Sequence, residues 1–142
     1  MDIGFAIEEF ERIEKDVNGL LGKIKMSAAS SEKPCDITEA SSTLTMMESQ
    51  MESVRNARDD LKGQMRKCGL SSAATDYKQC VDTYLRNFIT KLDDFGTVML
   101  AQLPLIEVIT DAMTFKYVDG EVKDVTRRIK SIVDKNVKCR VS

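Results

Sequence analysis

The chain has 142 residues, a formal net charge of −2, 42% hydrophobic and 31% charged residues, and neither histidine nor tryptophan. That length fits one domain, residues 1–142, able to bury its own core, and the charge balance excludes the strong basic excess of a nucleic-acid binder. Without histidine the commonest general base and transition-metal ligand are absent, so the composition points to helices without catalytic, metal or cofactor chemistry.

Taken in order, the first predicted helix runs from Ile3 to about Lys25. Ile3, Ala6, Ile7, Phe10, Ile13, Val17, Leu20, Leu21 and Ile24 follow the three-and-four spacing of one buried stripe, opposite Glu8, Glu11, Arg12, Lys15 and Lys23. Ser27 to Pro34 reads as a loop. A second helix is expected from Asp36, its N-cap, with Glu39 completing a capping box. Ile37, Ala40, Leu44, Met47, Met51, Val54, Leu61, Met65 and Cys68 form its stripe, on which Arg58 is the one charge. Gly69 is expected just past its end in the left-handed conformation.

After the Gly69–Ser72 connection a third helix is expected to reach about Leu103, with Tyr77, Val81, Tyr84, Phe88, Leu92, Phe95, Met99 and Leu103 inward. So short a connection makes helices two and three antiparallel neighbours in a long central hairpin. Pro104 is expected to end or sharply kink the third helix. Leu105 to Val118 is apolar on more than one side and reads as a short buried helix, its β-branched content admitting a strand as the alternative. Asp119-Gly120 signals a turn, and a last helix follows from Glu121 to about Lys138 with Val122, Val125, Ile129, Ile132, Val133 and Val137 inward. The expected fold is all-α, an antiparallel four- or five-helix bundle.

Cys35, Cys68, Cys80 and Cys139 fall near the ends of these helices, at spacings of 33, 12 and 59 residues that match no zinc or redox pattern. They read as disulfide staples. Cys68 ends helix two and Cys80 faces it early in helix three, so these two are expected to pair; a chain that reverses at Pro104 and again at Gly120 returns Cys139 to Cys35. Staples of this kind favour a secreted protein, the alternative being an intracellular module with free thiols. Met1 to Phe5 is not a signal peptide, lacking a basic start and an apolar run. Either the chain is cytosolic as it stands or Met1 replaces a removed leader. No run approaches the ~20 apolar residues of a membrane span.

The adjacent acids Glu8-Glu9, Asp59-Asp60 and Asp93-Asp94 point about 100° apart on a helix and make no two-carboxylate site by themselves. Eight methionines are more suggestive, because a thioether adapts to irregular cores and to ligand pockets alike. An apolar or lipid-like ligand would be walled by Met47, Met51, Phe88, Leu92, Phe95, Leu105, Ile106 and Ile109 near the Pro104 end, with Tyr84, Phe115 and Tyr117 as further candidates. Residues 116–142 carry net +4 and the first 26 residues −2, which reads as complementarity between packed terminal helices or as a site for an acidic partner or anionic lipid.

The run Asp76-Tyr77-Lys78-Gln79-Cys80-Val81-Asp82-Thr83-Tyr84, continued to Phe95, resembles the cysteine-bearing helix of plant pectin methylesterase and invertase inhibitors. That resemblance spans about twenty residues and implies a secreted, disulfide-linked four-helix bundle that binds enzymes. The family's paired N-terminal cysteines have no counterpart here, so its disulfide pattern does not carry over. The sequence thus describes a non-enzymatic helical binding protein, holding an apolar ligand or presenting a helical face to a protein.

Overall fold

A computed structural model describes residues 3–29, 36–71 and 74–141. Four helices, α1 (Ile3–Ala29), α2 (Asp36–Ser71), α3 (Ala74–Ile109) and α4 (Ala112–Val141), take up all of these but Thr110 and Asp111. In sequence order each helix lies beside the next, α4 closes the ring against α1, and α1 also touches α3 across the diagonal. Neighbours run antiparallel. Lys25 meets Glu48 while Lys62 meets Glu11; Gln64 meets Cys80 while Gln102 meets Met46; Lys23 lies over Tyr117 while Lys135 lies over Phe5.

The stripes that three-and-four spacing defines are the faces that become buried. On α1, Ala6, Ile7, Phe10, Ile13, Val17, Leu20, Leu21 and Ile24 all turn inward, and Ala28 joins them. From α2 come Leu44, Met47, Met51, Val54, Ala57, Leu61 and Cys68, from α3 Val81, Leu85, Phe88, Ile89, Leu92, Phe95 and Met99, and from α4 Val118, Val122, Val125, Ile129 and Ile132. Phe10 and Phe88 meet edge to face across the diagonal, ring centres 5.6 Å apart, the geometry that aromatic quadrupoles favour. Tyr84, expected inward, is instead exposed at 39%, and Leu85 beside it fills the inward seat.

The connections depart from the sequence reading at four places. Ser27 to Ala29 belong to α1 rather than to a loop, because Ala28 extends the buried stripe by a turn. Gly69 lies inside α2, which runs on to Ser71 with no positive-φ glycine among the described residues. Pro104 sits inside α3 without ending it. A proline in a helix removes one amide donor and crowds the turn before it; here Pro104 and Leu100 are both exposed, so the disturbed rung faces solvent while Met99, Gln102, Ile106 and Ile109 keep their core seats. Asp119-Gly120 makes no turn, since the stripe Val118, Val122, Val125, Ile129 runs unbroken through it and Lys123 reaches back to Asp119 at 3.0 Å.

The real break is at Thr110-Asp111. The Thr110 hydroxyl closes α3 by donating to the Ile106 carbonyl at 2.6 Å. Asp111 then caps α4, accepting from the Thr114 amide at 2.8 Å and the Thr114 hydroxyl at 2.9 Å, which satisfies an orphan donor of the first turn. Ser27 of α1 clasps the same residue, donating to its carboxylate at 2.9 Å and accepting from its amide at 3.1 Å. Among the described residues the result is four helices, not five.

Cys68 and Cys80 are joined by a disulfide with Cα atoms 6.0 Å apart, fastening the end of α2 to the start of α3. Cys35 lies outside the described residues. The reversal at Gly120 on which its pairing with Cys139 was expected is absent, since α4 continues through that glycine.

Candidate functional site

Of the eight residues expected to wall a ligand site, Met47, Met51, Phe88, Leu92, Phe95, Ile106 and Ile109 are all buried among the core side chains. Leu105 is not among them; it points outward at 42% exposure. Of the further candidates, Phe115 is partly buried against the core, whereas Tyr84 and Tyr117 lie on the surface, the latter under the Lys23 ammonium at 4.1 Å. Met99 is buried, Met65 partly so, and Met46 and Met113 are exposed. Among the described residues no group of three or more His, Cys, Asp or Glu side chains could hold a metal, and no helix is long and apolar enough to cross a membrane.

The charge asymmetry between the chain ends finds its place inside the bundle. Arg128 of α4 donates to Glu9 at 2.9 Å and to Asp16 at 2.6 Å on α1. Burial alone would raise the Glu9 carboxyl, but hydrogen bonds from Arg128 and Arg12 outweigh it and hold Glu9 below the usual carboxylate range. On α1's other flank Glu14 receives Arg55 and, at 3.3 Å, Arg58, while Lys62 reaches Glu11 at 3.2 Å. The Glu14 contact pushes Arg55 upward against its burial. This resolves the one charge on the α2 stripe. The Arg58 side chain is only 15% exposed, covers the Phe10 ring at 5.5 Å and finds carboxylates at Glu14 and Asp59.

One surface remains unexplained by packing. From Val98 to Ile109 the only charged residue of α3 is Glu107. A bundle helix needs one inward stripe, and Met99, Ile106 and Ile109, with the buried polar Gln102 among them, supply it. Leu100, Pro104 and Val108 then follow one another at i+4 on the outer side, with Ala101 and Leu105 one step round. All five are exposed, Leu100 at 45% and Val108 at 53%. Single exposed apolar residues need no explanation, but a contiguous set marks a surface for interaction. The apolar excess from Leu105 onward, expected to be buried, is thus partly on the surface.

Leu100 also lines a groove of about 450 Å³ between α3 and α4, floored by Gly96, Thr97, Thr126, Ile129 and Val133. Its rim carries Lys123, Arg127 and Lys130 on α4, with Asp93 and Asp134 toward one end. A second, smaller groove of about 380 Å³ between α1 and α2 is lined mainly by the charged and polar residues Asn18, Lys25, Glu48, Glu52 and Arg55.

In comparisons with known proteins the chain matches no family model, no curated protein and no solved structure.

Proposed function

We propose that this is a non-enzymatic helical binding protein that presents the C-terminal half of α3 to a protein partner. The observation that carries the reading is the outward apolar row Leu100, Pro104, Val108 with Ala101 and Leu105, which the bundle's own core does not use. Apolar side chains in such a row are the anchors a helix–helix or helix–groove contact buries first. The test is site-directed photocrosslinking from Val108, with Asp60 on the outer side of α2 as control. A single identified protein adduct from position 108, absent from position 60 and lost in Leu105→Ser, is the expected result; equal labelling from both positions defeats the reading.

A secreted location is supported by the Cys68–Cys80 bridge, since such bonds persist in oxidising compartments. Four titratable thiols in the native protein would favour the intracellular alternative. The apolar-ligand version of the same function draws on Met47, Met51 and Met99, whose flexible side chains can part more readily than branched ones. Native mass spectrometry of the purified protein decides it: a bound acyl chain supports that version, and a bare mass removes it.

A further inference from the structure

Resting on the reading that α3 faces a protein, we propose that the α3–α4 groove takes an amphipathic helix whose flank is acidic. The groove is continuous with the outer row through Leu100, which belongs to both. Its floor mixes glycine, threonine and aliphatic residues. Gly96 is buried, and a Cβ placed there would touch Ile129 at 3.5 Å and Thr126 at 3.8 Å, so the glycine lies at the α3–α4 contact beneath the groove. Leu100 and the partly buried Val133 supply the apolar surface between the two ridges, above the buried Ile129.

Charge selects the occupant. Lys123, Arg127 and Lys130 recur at steps of four and three along α4, a line of cations on one side of the groove. Their partners inside the protein are weak ones: Lys123 meets Asp119 and Arg127 meets Asp124, both along the same helix, with the cations 65% and 79% exposed. Exposed pairs of this kind contribute little and are readily exchanged. Lys130 makes no ion pair among the described residues. Arg128, one step round α4, is by contrast committed to Glu9 and Asp16 on α1 and is not part of the rim. Asp93 and Asp134 at the far end repel carboxylates there, so the groove is polar along its length and fixes which way the helix lies.

The experiment uses the whole protein and a rhodamine-labelled helical peptide of about 18 residues, five turns, with leucines on one face and glutamates along one flank. Its counterpart replaces every glutamate with lysine. The acidic peptide is expected to bind saturably by fluorescence anisotropy, more tightly than the basic one. Binding should weaken when salt rises from about 50 to about 300 mM, and at least about threefold in Lys123→Gln/Arg127→Gln/Lys130→Gln. Those three side chains are exposed, so an unchanged melting curve shows that the variant still folds. Equal binding of the two peptides, an unaffected triple variant or no binding by the acidic peptide overturns the inference. The reading of α3 as a protein-facing surface is judged separately, by the crosslink from Val108, which no flank charge influences.

Discussion

Along the α2–α3 seam two helices of 36 residues each bury aliphatic, thioether and aromatic side chains against one another and are joined by the Cys68–Cys80 bond. Along the two edges of α1 the buried stripe is flanked by ion pairs instead, with Glu11 and Glu14 facing α2 and Glu9 and Asp16 facing α4. Dispersion and hydrophobic burial are non-directional and indifferent to pH, whereas charge pairs respond to both salt and protons. One half of the bundle therefore responds little to pH and ion screening, while the other registers α1 by its charges.

The largest expected effect lies where the two regions meet. Phe88→Ala removes a fully buried ring that packs on Phe10 of α1, and its urea midpoint should report a loss of about 3–5 kcal/mol. If the loss is below about 1 kcal/mol, α1 does not share a core with α3 and the comparison fails. Next comes Cys80→Ser, or reduction of the wild type. Opening a bridge across 12 residues should lower stability by about 2–3 kcal/mol in the loop-entropy description, with little dependence on salt. Non-reducing peptide mapping should return Cys68 joined to Cys80. A Cys35–Cys139 peptide from the monomer would require α4 to turn back at Gly120 and would break the four-helix topology.

The α1 edges give smaller, condition-dependent effects. Arg128→Ala leaves Glu9 and Asp16 without their shared cation and should lower stability by about 1–2 kcal/mol, less at high salt. Glu9 and Asp111 both sit below the usual carboxylate range, Asp111 chiefly through the Thr114 amide and hydroxyl and the Ser27 hydroxyl. A depressed folded pKa adds stability that is fully present above the unfolded pKa and disappears as pH falls through the folded value. Urea midpoints should therefore fall below about pH 4, and Arg128→Ala should flatten the Glu9 share of that fall. The smallest effect is a gain. Gly120→Ala introduces a Cβ with nothing within 4 Å and should raise stability by about 0.5–1 kcal/mol, provided α4 is continuous there. A loss would restore the turn that Asp119-Gly120 suggests.

Much of the bundle was legible because a buried helix face leaves a periodic mark. The α1 stripe from Ala6 to Ile24 and the α4 stripe from Val122 to Ile132 stand in the structure where spacing puts them. Punctuation was less dependable. Pro104 and Gly120 each carry a local preference against helix, but both lie on exposed faces, where a preference of a few kcal/mol or less is outweighed by the stripe running beneath. The true break was also written in the chain, as Asp111 three residues before Thr114, a capping signal obscured by the apolar residues around it. The outer row of α3 was harder. Sequence shows that the stretch from Leu105 is apolar on more than one side, and only the packing decides that Met99, Gln102, Ile106 and Ile109 take the interior and leave Leu105 outside. Arg58 likewise had no meaning until α1 brought Glu14 to it.

Pro104 leaves one rung of α3 without its helical donor. Having no amide hydrogen, it cannot donate to the carbonyl four residues earlier, that of Leu100, which lies at the junction of the outer row and the groove. Leu100 is exposed, so water has access to that turn. Under a partner's apolar surface the carbonyl oxygen would lose its hydrogen bond, a penalty of about 1–3 kcal/mol. If the outer row is the partner-facing surface proposed above, a purely apolar partner would meet resistance there, whereas one that brings a hydroxyl or amide donor to Leu100 would not.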